Sequence, residues 1–278
     1  MAAIKGIFTK EDSLRSATWI LVVTLLLSNI LGFIRDRFLA QKIPTDLLDT
    51  YYAAFRLPDL VFNLLILGAI ASAFIPVFSG FLVKKKDEEA FYVANVVLNF
   101  ALVSLIFALC LLFVLMPFLV SLLVPAFSPE KQILTVKLAR ILLFSPLFFS
   151  ISYILGGVLN SFRRFLAYAL APLFYNLSII LATFFWADRF LVYAPVWGVV
   201  LGAFLHLAIQ VVPAWKLGFR WRFFLDLKHA AVRKIGLLML PRSFSLGAQQ
   251  ISLFVFTALA SGLGGGAVAI YIFPPCRI

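Results

Sequence analysis

The stretch LPDLVFNLLILGAIASAFIPVFSGF, residues 57–81, decides the class of this protein. It is apolar over a length that can cross a bilayer, which takes about 20 residues. It nevertheless contains Asp59, Asn63, Gly68 and Ser72. A charged side chain inside a membrane helix costs about 2.5 to 3.5 kcal/mol on insertion scales, and such residues usually have a function. The stretch therefore predicts a membrane helix that lines a transporter cavity.

The whole chain has the composition of an integral membrane protein. Of its 278 residues 63% are hydrophobic and 13% are charged, and the mean hydropathy is +1.06. Charge-free intervals recur at 16–34, 60–83, 90–129, 141–162, 165–187, 190–215 and 243–276. This pattern predicts an all-α, polytopic membrane protein with seven helices and the start of an eighth.

Prolines and glycines set two of the expected helix ends. Pro117 and Pro125 predict that helix 3 ends near Met116 and is followed by an interfacial segment. Four glycines within 262–266 predict that helix 7 ends near 260 and that the eighth helix begins near Ala267. About a dozen residues remain after that point, roughly half of a bilayer crossing at 1.5 Å per residue.

The placement of Lys and Arg predicts a cytoplasmic N-terminus. One side of the membrane receives the cations of the N-terminal tail, the 2/3, 4/5 and 6/7 loops: Lys5, Lys10, Arg15, Lys84, Lys85, Lys86, Arg163, Arg164, Lys216, Arg220, Arg222, Lys228, Arg233 and Lys234. The other side has fewer Lys and Arg residues, which lie around the start of helix 4 and between helices 5 and 6. Its first connection is the exception, with Arg35, Arg37, Lys42 and Arg56. These four are therefore candidates for more than a loop role.

Several function classes are disfavoured. The net charge of +12 is spread over short loops, which anionic lipids explain better than nucleic acid does. Cys110 and Cys276 form no disulfide framework. His206 and His229 have no Cys or carboxylate at metal-binding spacing, and there is no GxxxxGK(S/T) phosphate loop. We expect no metal, no cofactor and no enzymatic activity.

The group Arg35, Asp36 and Arg37 ends helix 1, after Ser28, Asn29 and Gly32. Two interpretations stay open here. The group could anchor the helix end among lipid headgroups, with Arg and Asp partly neutralising each other. It could equally lie in a cavity.

A helix that starts near Thr45 would carry five polar residues on one face. Asp49, Tyr52, Arg56, Asp59 and Asn63 follow at spacings of three, four, three and four. Lipid does not tolerate such a stripe, so it should face protein or water. The alternative is a short external helix that ends at 57, with helix 2 starting at Pro58, a residue favoured at a first helical position.

Two further segments have mainly structural interpretations. Gly156 and Asn160 are expected to allow close packing of helix 4, while Arg163 and Arg164 mark the cytoplasmic boundary. Residues 214–235 alternate aromatic with basic side chains and are typical of an amphipathic linker on the cytoplasmic membrane surface.

Taken together, these segments resemble the MurJ/MviN lipid II flippase family of the exporter superfamily that also handles drugs and oligosaccharide-lipids. The resemblance covers nearly the whole chain. It rests on LGFIRD at 31–36, Asp49 with AAFRLPDL at 53–60, GAIASAFIP at 68–76, LNSFRRF at 159–165 with Pro172 and Asn176, and LPRSFSLGAQQI at 240–251.

The resemblance implies a bacterial cytoplasmic membrane protein with two lobes that rock around a cationic cavity. Lipid II, an undecaprenyl-pyrophosphate-linked precursor, would place its headgroup in the cavity and its tail among membrane lipids. By motif position Arg35 would pair with the pyrophosphate, and Asp49 would hold or gate a cavity arginine. The sequence specifies no coupling ion.

Departures from the family pattern reduce the expected charge of the cavity. The family's early arginine is replaced by Asn29, the arginines after its LPNL motif by Phe62 and Asn63, and a glutamate by Leu67. Arg37 and Arg56 are the candidates to compensate. The candidate substrate-binding residues are thus Arg35, Asp49, Arg56, Arg37, Asn29 and Asn63.

The resemblance also implies a domain division. Residues 1–213 would form a six-helix transporter lobe, 214–235 the linker, and 236–278 the start of a second lobe with helix 7 and a truncated helix 8. The closing FPPCRI departs from the family's continuation, which suggests a frameshift, an assembly edge or a shortened sequence.

Three functional hypotheses follow. The favoured one is a lipid II flippase that works by alternating access. The second is an exporter of another oligosaccharide-lipid or a drug in the same superfamily. The third is an inactive or scaffolding half-transporter that pairs with another subunit.

Overall fold

The computed structural model describes residues 14–67 and 73–272, and every regular element in that part of the chain is a helix. The elements are α1 (Leu14–Lys42), α2 (Thr45–Phe62), a π-helical turn (Asn63–Leu67), α3 (Ile75–Val83), α4 (Asp87–Leu123), α5 (Pro129–Leu142), α6 (Phe144–Ser161), α7 (Phe165–Phe190), α8 (Tyr193–Lys216), α9 (Ala230–Ser261) and α10 (Ala267–Ile272). Within the described residues, six stretches are long and apolar enough to cross a membrane: α1, α4, α5 with α6, α7, α8 and α9. The predicted all-α, polytopic membrane fold is confirmed.

Part of the predicted helix 2 lies outside the described residues. Its first part is α2 with the π-helical turn, and its last part is α3. The expectations for Gly68 and Ser72 fall between them, in 68–72. Those for the charged N-terminal tail and for the closing 273–278 also fall outside.

Glycines of α8 bring α7 and α8 into close contact. A Cβ added at Gly198 would lie 2.7 Å from the Cβ of Ala182, and one at Gly202 would lie 2.9 Å from Tyr175. Small residues of this kind let membrane helices approach closely. Helix α1 packs along α7, and α6 packs along α8. Gly156 has the close-packing role expected of it, because a Cβ there would meet Tyr168 of α7 at 2.8 Å.

The prediction that helix 3 ends near Met116 is wrong, because α4 continues through Pro117 to Leu123. A proline in a helix leaves the carbonyl four residues earlier without its usual donor. Here that carbonyl belongs to Phe113, and it accepts hydrogen bonds from Nε and Nη2 of Arg140 at 3.3 and 3.2 Å. A side chain from α5 thus replaces the missing backbone donor, and the helix need not end.

Of four other predicted helix boundaries three agree with the structure and one differs, and the predicted start of a helix near Thr45 is among those confirmed. Helix α2 runs unbroken across Pro58, which excludes the alternative of a short external helix that ends at 57. Helix α9 begins at Ala230, inside the predicted linker, and only 217–229 are non-helical between α8 and α9. The predicted end of helix 7 near 260 and the start of the next helix at Ala267 are confirmed.

Two asparagines of α4 hold the linker (217–229) in place. Asn95 donates to the carbonyl of Arg220 at 3.0 Å and accepts from the Arg222 amide at 2.8 Å. Asn99 donates to the carbonyls of Arg222 and Phe224 at 2.8 and 3.0 Å. Both asparagine side chains are almost fully buried and need hydrogen-bond partners, which the backbone of the linker supplies. The linker is therefore docked along α4 in part by its own peptide groups.

Candidate functional site

A polar cavity of about 260 Å³ lies where α1, α2 and α7 meet. Its lining residues share a position on the inner faces of these helices: Arg35, Asp36, Leu39, Tyr51, Tyr52, Phe55, Arg56, Asp59 and Tyr175. Four of the nine are charged, in a bundle whose interior is otherwise mainly apolar. Charged residues at this depth are expected to face a cavity rather than lipid.

Arg35 is fixed at one side of the cavity by three side-chain bonds. Its Nε and Nη2 lie 2.9 and 2.8 Å from Oδ1 of Asp36, and its Nη1 donates to Oδ1 of Asn176 at 3.0 Å. Asn176, on α7, in turn donates to the carbonyl and hydroxyl oxygens of Ser28 at 3.3 Å. The headgroup-anchor interpretation of Arg35 is thus replaced by a position in the cavity wall.

Arg56 carries the second positive charge of the cavity and connects α2 to α9. Its Nε donates to Oγ1 of Thr257 at 3.0 Å, and that threonine is fully buried. Thr257 Oγ1 passes its own hydrogen to the Leu253 carbonyl at 2.8 Å. Asp59, one helical turn beyond Arg56, is exposed to the cavity. The middle of the predicted polar stripe therefore faces this cavity.

The remaining wall is aromatic. Tyr51 packs edge-on against both Tyr52 and Phe55, with ring centres 5.1 and 5.0 Å apart, and Tyr175 lines the side contributed by α7. Tyrosine rings offer apolar surface together with a hydroxyl that can donate or accept a hydrogen bond. The cavity can accordingly hold a ligand that has both charged and hydrogen-bonding groups.

Asp49 has a different place from the one expected. It is fully buried at the other end of α2 and does not line the cavity. Its carboxylate accepts from the backbone amides of Gly266 and Ala269 at 2.6 and 2.9 Å, and lies 3.3 Å from Nζ of Lys131. In the described structure its partners are thus Lys131 and two backbone amides at the start of α10, not a cavity arginine. The polar stripe of α2 extends past the cavity, and Asp49 lies on the part outside it.

Three other predicted residues do not line the cavity. Arg37 and Asn29 are exposed on α1, because helical spacing turns them away from the face that carries Arg35. Asn63 lies in the π-helical turn, beyond the cavity end of α2. Of the six candidate residues, the structure brings together only Arg35 and Arg56.

The sequence interpretation missed Tyr175, Asn176 and Thr257 as members of the site. Asn176 had a usable signal, since an amide inside an apolar helix should find a partner. Thr257 and Tyr175 had none, because a single threonine or tyrosine is unremarkable in such a helix. His206, the other buried polar residue noted in the sequence, lies 2.7 Å from the hydroxyl of Ser152 between α6 and α8. It belongs to a buried network with Gln210 outside the cavity.

The family model described as lipid II flippase MurJ matches residues 44–274. The chain belongs to the lipid II flippase MurJ family. The match includes α2 with Asp49, Arg56 and Asp59, and extends through α10. Membership makes this a multi-pass transporter-family protein, in line with a bacterial inner-membrane location, and the family is not one of catalytic enzymes.

Curated members of the MurJ family match along most of the chain. A probable lipid II flippase MurJ of Rhizobium tropici is 32% identical over 87% of this chain and 47% of its own length. One of Rickettsia prowazekii (strain Madrid E) is 28% identical over 92% of this chain and 52% of its own. The lipid II flippase MurJ of Burkholderia cenocepacia is 29% identical over 88% and 49%. The chain spans about half the length of the curated relatives it matches.

Solved structures share the MurJ-type fold. A lipid II flippase MurJ in an inward closed conformation superposes with a TM-score of 0.74 at 24% identity, over 91% of this chain and 54% of that one. A transporter of the MOP superfamily from Pyrococcus furiosus gives a TM-score of 0.62 at 15% identity, over 96% and 60%. At these identities the likeness shows the fold alone.

Proposed function

We propose that this chain provides the first lobe of a lipid II flippase, with the cavity of Arg35 and Arg56 as the headgroup site. The observation that carries the proposal is the hydrogen bond between Arg56 and Thr257, because it places a cavity cation where α2 meets α9, the first helix after the linker. A site shared between two helical halves changes its access when the halves rock. Membership in the MurJ family and the names of the relatives support lipid II as the substrate.

The two arginines have different parts in this proposal. Arg35 has its guanidinium occupied by Asp36 and Asn176, so it supplies a fixed positive field. Among the described residues Arg56 has one neutral hydrogen-bond partner, bound through Nε, so its two Nη groups are assigned to the pyrophosphate. Arginine binds phosphate oxygens through paired N–H donors, which a pyrophosphate can accept.

The orientation in this proposal has the N-terminus and the linker on the cytoplasmic side. The loops at that end contain Lys84, Lys85, Lys86, Arg163, Arg164 and the linker cations. Such an excess is typical of cytoplasmic loops. The end that holds Asp49 and α10 would then be periplasmic and closed, and the cavity would be reached from the cytoplasm.

The test is lipid II translocation in vesicles that contain the purified chain, with Arg56→Ala compared with Arg37→Ala. We expect Arg56→Ala to lower the rate at least roughly tenfold, since a hydrogen bond to a charged group is worth at least one such factor. Arg37→Ala is the matched control, because Arg37 is exposed and outside the cavity. Equal rates for both variants would contradict the assignment of Arg56.

A second candidate function is export of a cationic substrate, and the observation that favours it is Asp59. Its carboxylate is exposed in the cavity and forms no salt bridge in the described structure. Uptake of a lipophilic cation into the same vesicles, lost in Asp59→Asn and retained in Arg56→Ala, would favour this function. If vesicles with the intact chain move neither substrate, the half-transporter hypothesis becomes the better one.

A further inference from the structure

A second cavity, distinct from the polar one, opens among α4, α6, α8 and the linker. Its volume is about 640 Å³, within the range of ligand sites in proteins. The walls are apolar side chains such as Leu102, Ile151 and Leu155. Ile151 lies ten residues before the end of α6, so the cleft reaches about 15 Å into the bundle at 1.5 Å per residue. That depth belongs to the hydrocarbon layer of a membrane.

One charged residue, Arg220, stands among the residues that line this cleft. It is already oriented by the protein. Its Nη1 donates to the carbonyls of Trp215 and Phe219, and its guanidinium carbon lies 5.3 Å from the centre of the Trp215 ring. The described part of the chain gives its Nε and Nη2 no protein acceptor, so three of its five N–H donors remain for an anion.

Two tryptophans complete the rim. Trp215 and Trp221 are 57% and 61% exposed, and both line the cleft. Tryptophan is enriched at the level of the lipid headgroups, where one part of the ring meets hydrocarbon and the indole N–H meets polar groups. The indole of Trp221 is held in place by its hydrogen bond to Asn99 at 2.9 Å.

We propose that this cleft binds one anionic phospholipid, with an acyl chain between α4 and α6 and the headgroup phosphate on Arg220. The charge of Arg220 complements the phosphate, and the apolar depth complements the chain. Basic pockets between membrane helices are known to select anionic headgroups. Because the same linker residues are bound to Asn95 and Asn99, an occupied cleft stabilises the docked linker.

The test is the thermal stability of the purified chain in neutral detergent as phosphatidylglycerol is added. A ligand that binds the folded state alone raises the melting temperature in a concentration-dependent way. We expect saturable stabilisation of the wild type, and an apparent affinity at least roughly tenfold lower in Arg220→Gln, since a charge-assisted hydrogen bond accounts for at least that factor. Arg220→Lys restores the positive charge and should recover part of the affinity.

The matched control is Arg222→Gln, which removes the same charge from an exposed linker position outside the cleft. It should leave the affinity within about twofold of the wild type. Leu102→Trp, which fills the cleft without touching Arg220, should also abolish the stabilisation. If Arg220→Gln is unstable without lipid, the Leu102→Trp result decides.

Four results would overturn the proposal. Equal losses in Arg220→Gln and Arg222→Gln would mean diffuse attraction to the linker. Equal stabilisation by inorganic phosphate would mean an anion site without a chain, and equal stabilisation by phosphatidylcholine would mean an apolar groove without charge selection. Preferential binding of an undecaprenyl pyrophosphate would assign the cleft to the substrate lipid instead.

Discussion

The two ends of α2 carry carboxylates in opposite situations. Asp49 is fully buried and has a cation and two backbone amides as partners. Asp59, less than three turns further along the same stripe, is exposed to the polar cavity. A buried carboxylate must be compensated by local partners, whereas one in a cavity can be compensated by a ligand. One polar stripe thus serves a structural purpose at one end and remains available for binding at the other.

The largest expected effect comes from Asp49→Ala. It leaves Lys131 without its buried partner and leaves the backbone amides of Gly266 and Ala269, at the start of α10, without their acceptor. Breaking a buried ion pair from one side costs about 3 to 5 kcal/mol. We expect a loss of that size in the free energy of unfolding, measured in mixed detergent micelles.

The control for Asp49→Ala is Asp46→Ala. Asp46 also contacts Lys131, at 2.6 Å, but its side chain is 60% exposed, so its removal should cost under about 1 kcal/mol. Equal losses for the two variants would show that burial does not distinguish the partners of Lys131.

Gly266→Ala tests the Asp49 end of α2 through a change in the backbone. Gly266 has a φ of +88°, and a Cβ there would lie 2.7 Å from Cγ2 of Thr45. The unfavourable φ alone costs about 1 to 2 kcal/mol, and Thr45 must also move. We expect a loss of about 2 kcal/mol in the same unfolding measurement. Gly264→Ala, with a φ of +110° and no atom within 4 Å, is the control that isolates the backbone contribution.

Asn176→Ala tests the hydrogen bonding of Arg35 in the cavity wall. It removes the acceptor of Arg35 Nη1, and a hydrogen bond to a charged group contributes about 1.5 kcal/mol. Because water in the cavity can replace the lost oxygen, the loss should stay well below that of Asp49→Ala. Asn176→Asp keeps the acceptor for Arg35 but loses the donor to Ser28, so it should recover only part of the loss. A loss from Asn176→Ala as large as that from Asp49→Ala would remove the distinction between the two ends.

Thr257→Val should have the smallest effect, about 1 kcal/mol or less, because it keeps the side-chain volume and because Arg56 faces the cavity, where water can replace the lost partner. A double-mutant cycle with Arg56→Ala should give a coupling of about 0.5 to 1.5 kcal/mol. A coupling indistinguishable from zero would mean that α2 and α9 are not joined at this point.

Much of the fold could be predicted from hydropathy and charge. The helix order, the glycine break after α9 and the polar face of α2 all follow from local periodicity, which a sequence shows directly. The end of α4 could not be predicted in this way. Pro117 indicates a helix end, and the Arg140 side chain that replaces its missing donor comes from another helix.

The site was predicted only in part, for a similar reason. Arg35 and Arg56 were identified because charge in an apolar context is a local signal. Which residues of the α2 stripe are buried and which face the cavity depends on where α10 packs. The amides that bind Asp49 belong to Gly266 and Ala269, 217 and 220 positions later in the chain, and a backbone amide cannot be recognised from the residue type. Arg37, Asn29 and Asn63 carried the same local signal as Arg35 and Arg56 but do not line the cavity, since polarity alone does not fix the face of a helix.

The way in which α4 holds the linker has a consequence for evolution. Asn95 and Asn99 bind peptide groups at Arg220, Arg222 and Phe224, and every amino acid except proline offers both an N–H and a carbonyl. These backbone bonds therefore remain possible when the side chains at the three positions change among descendants. A lineage could adapt the linker to new lipids or partner proteins without rebuilding the lobe to which it is attached.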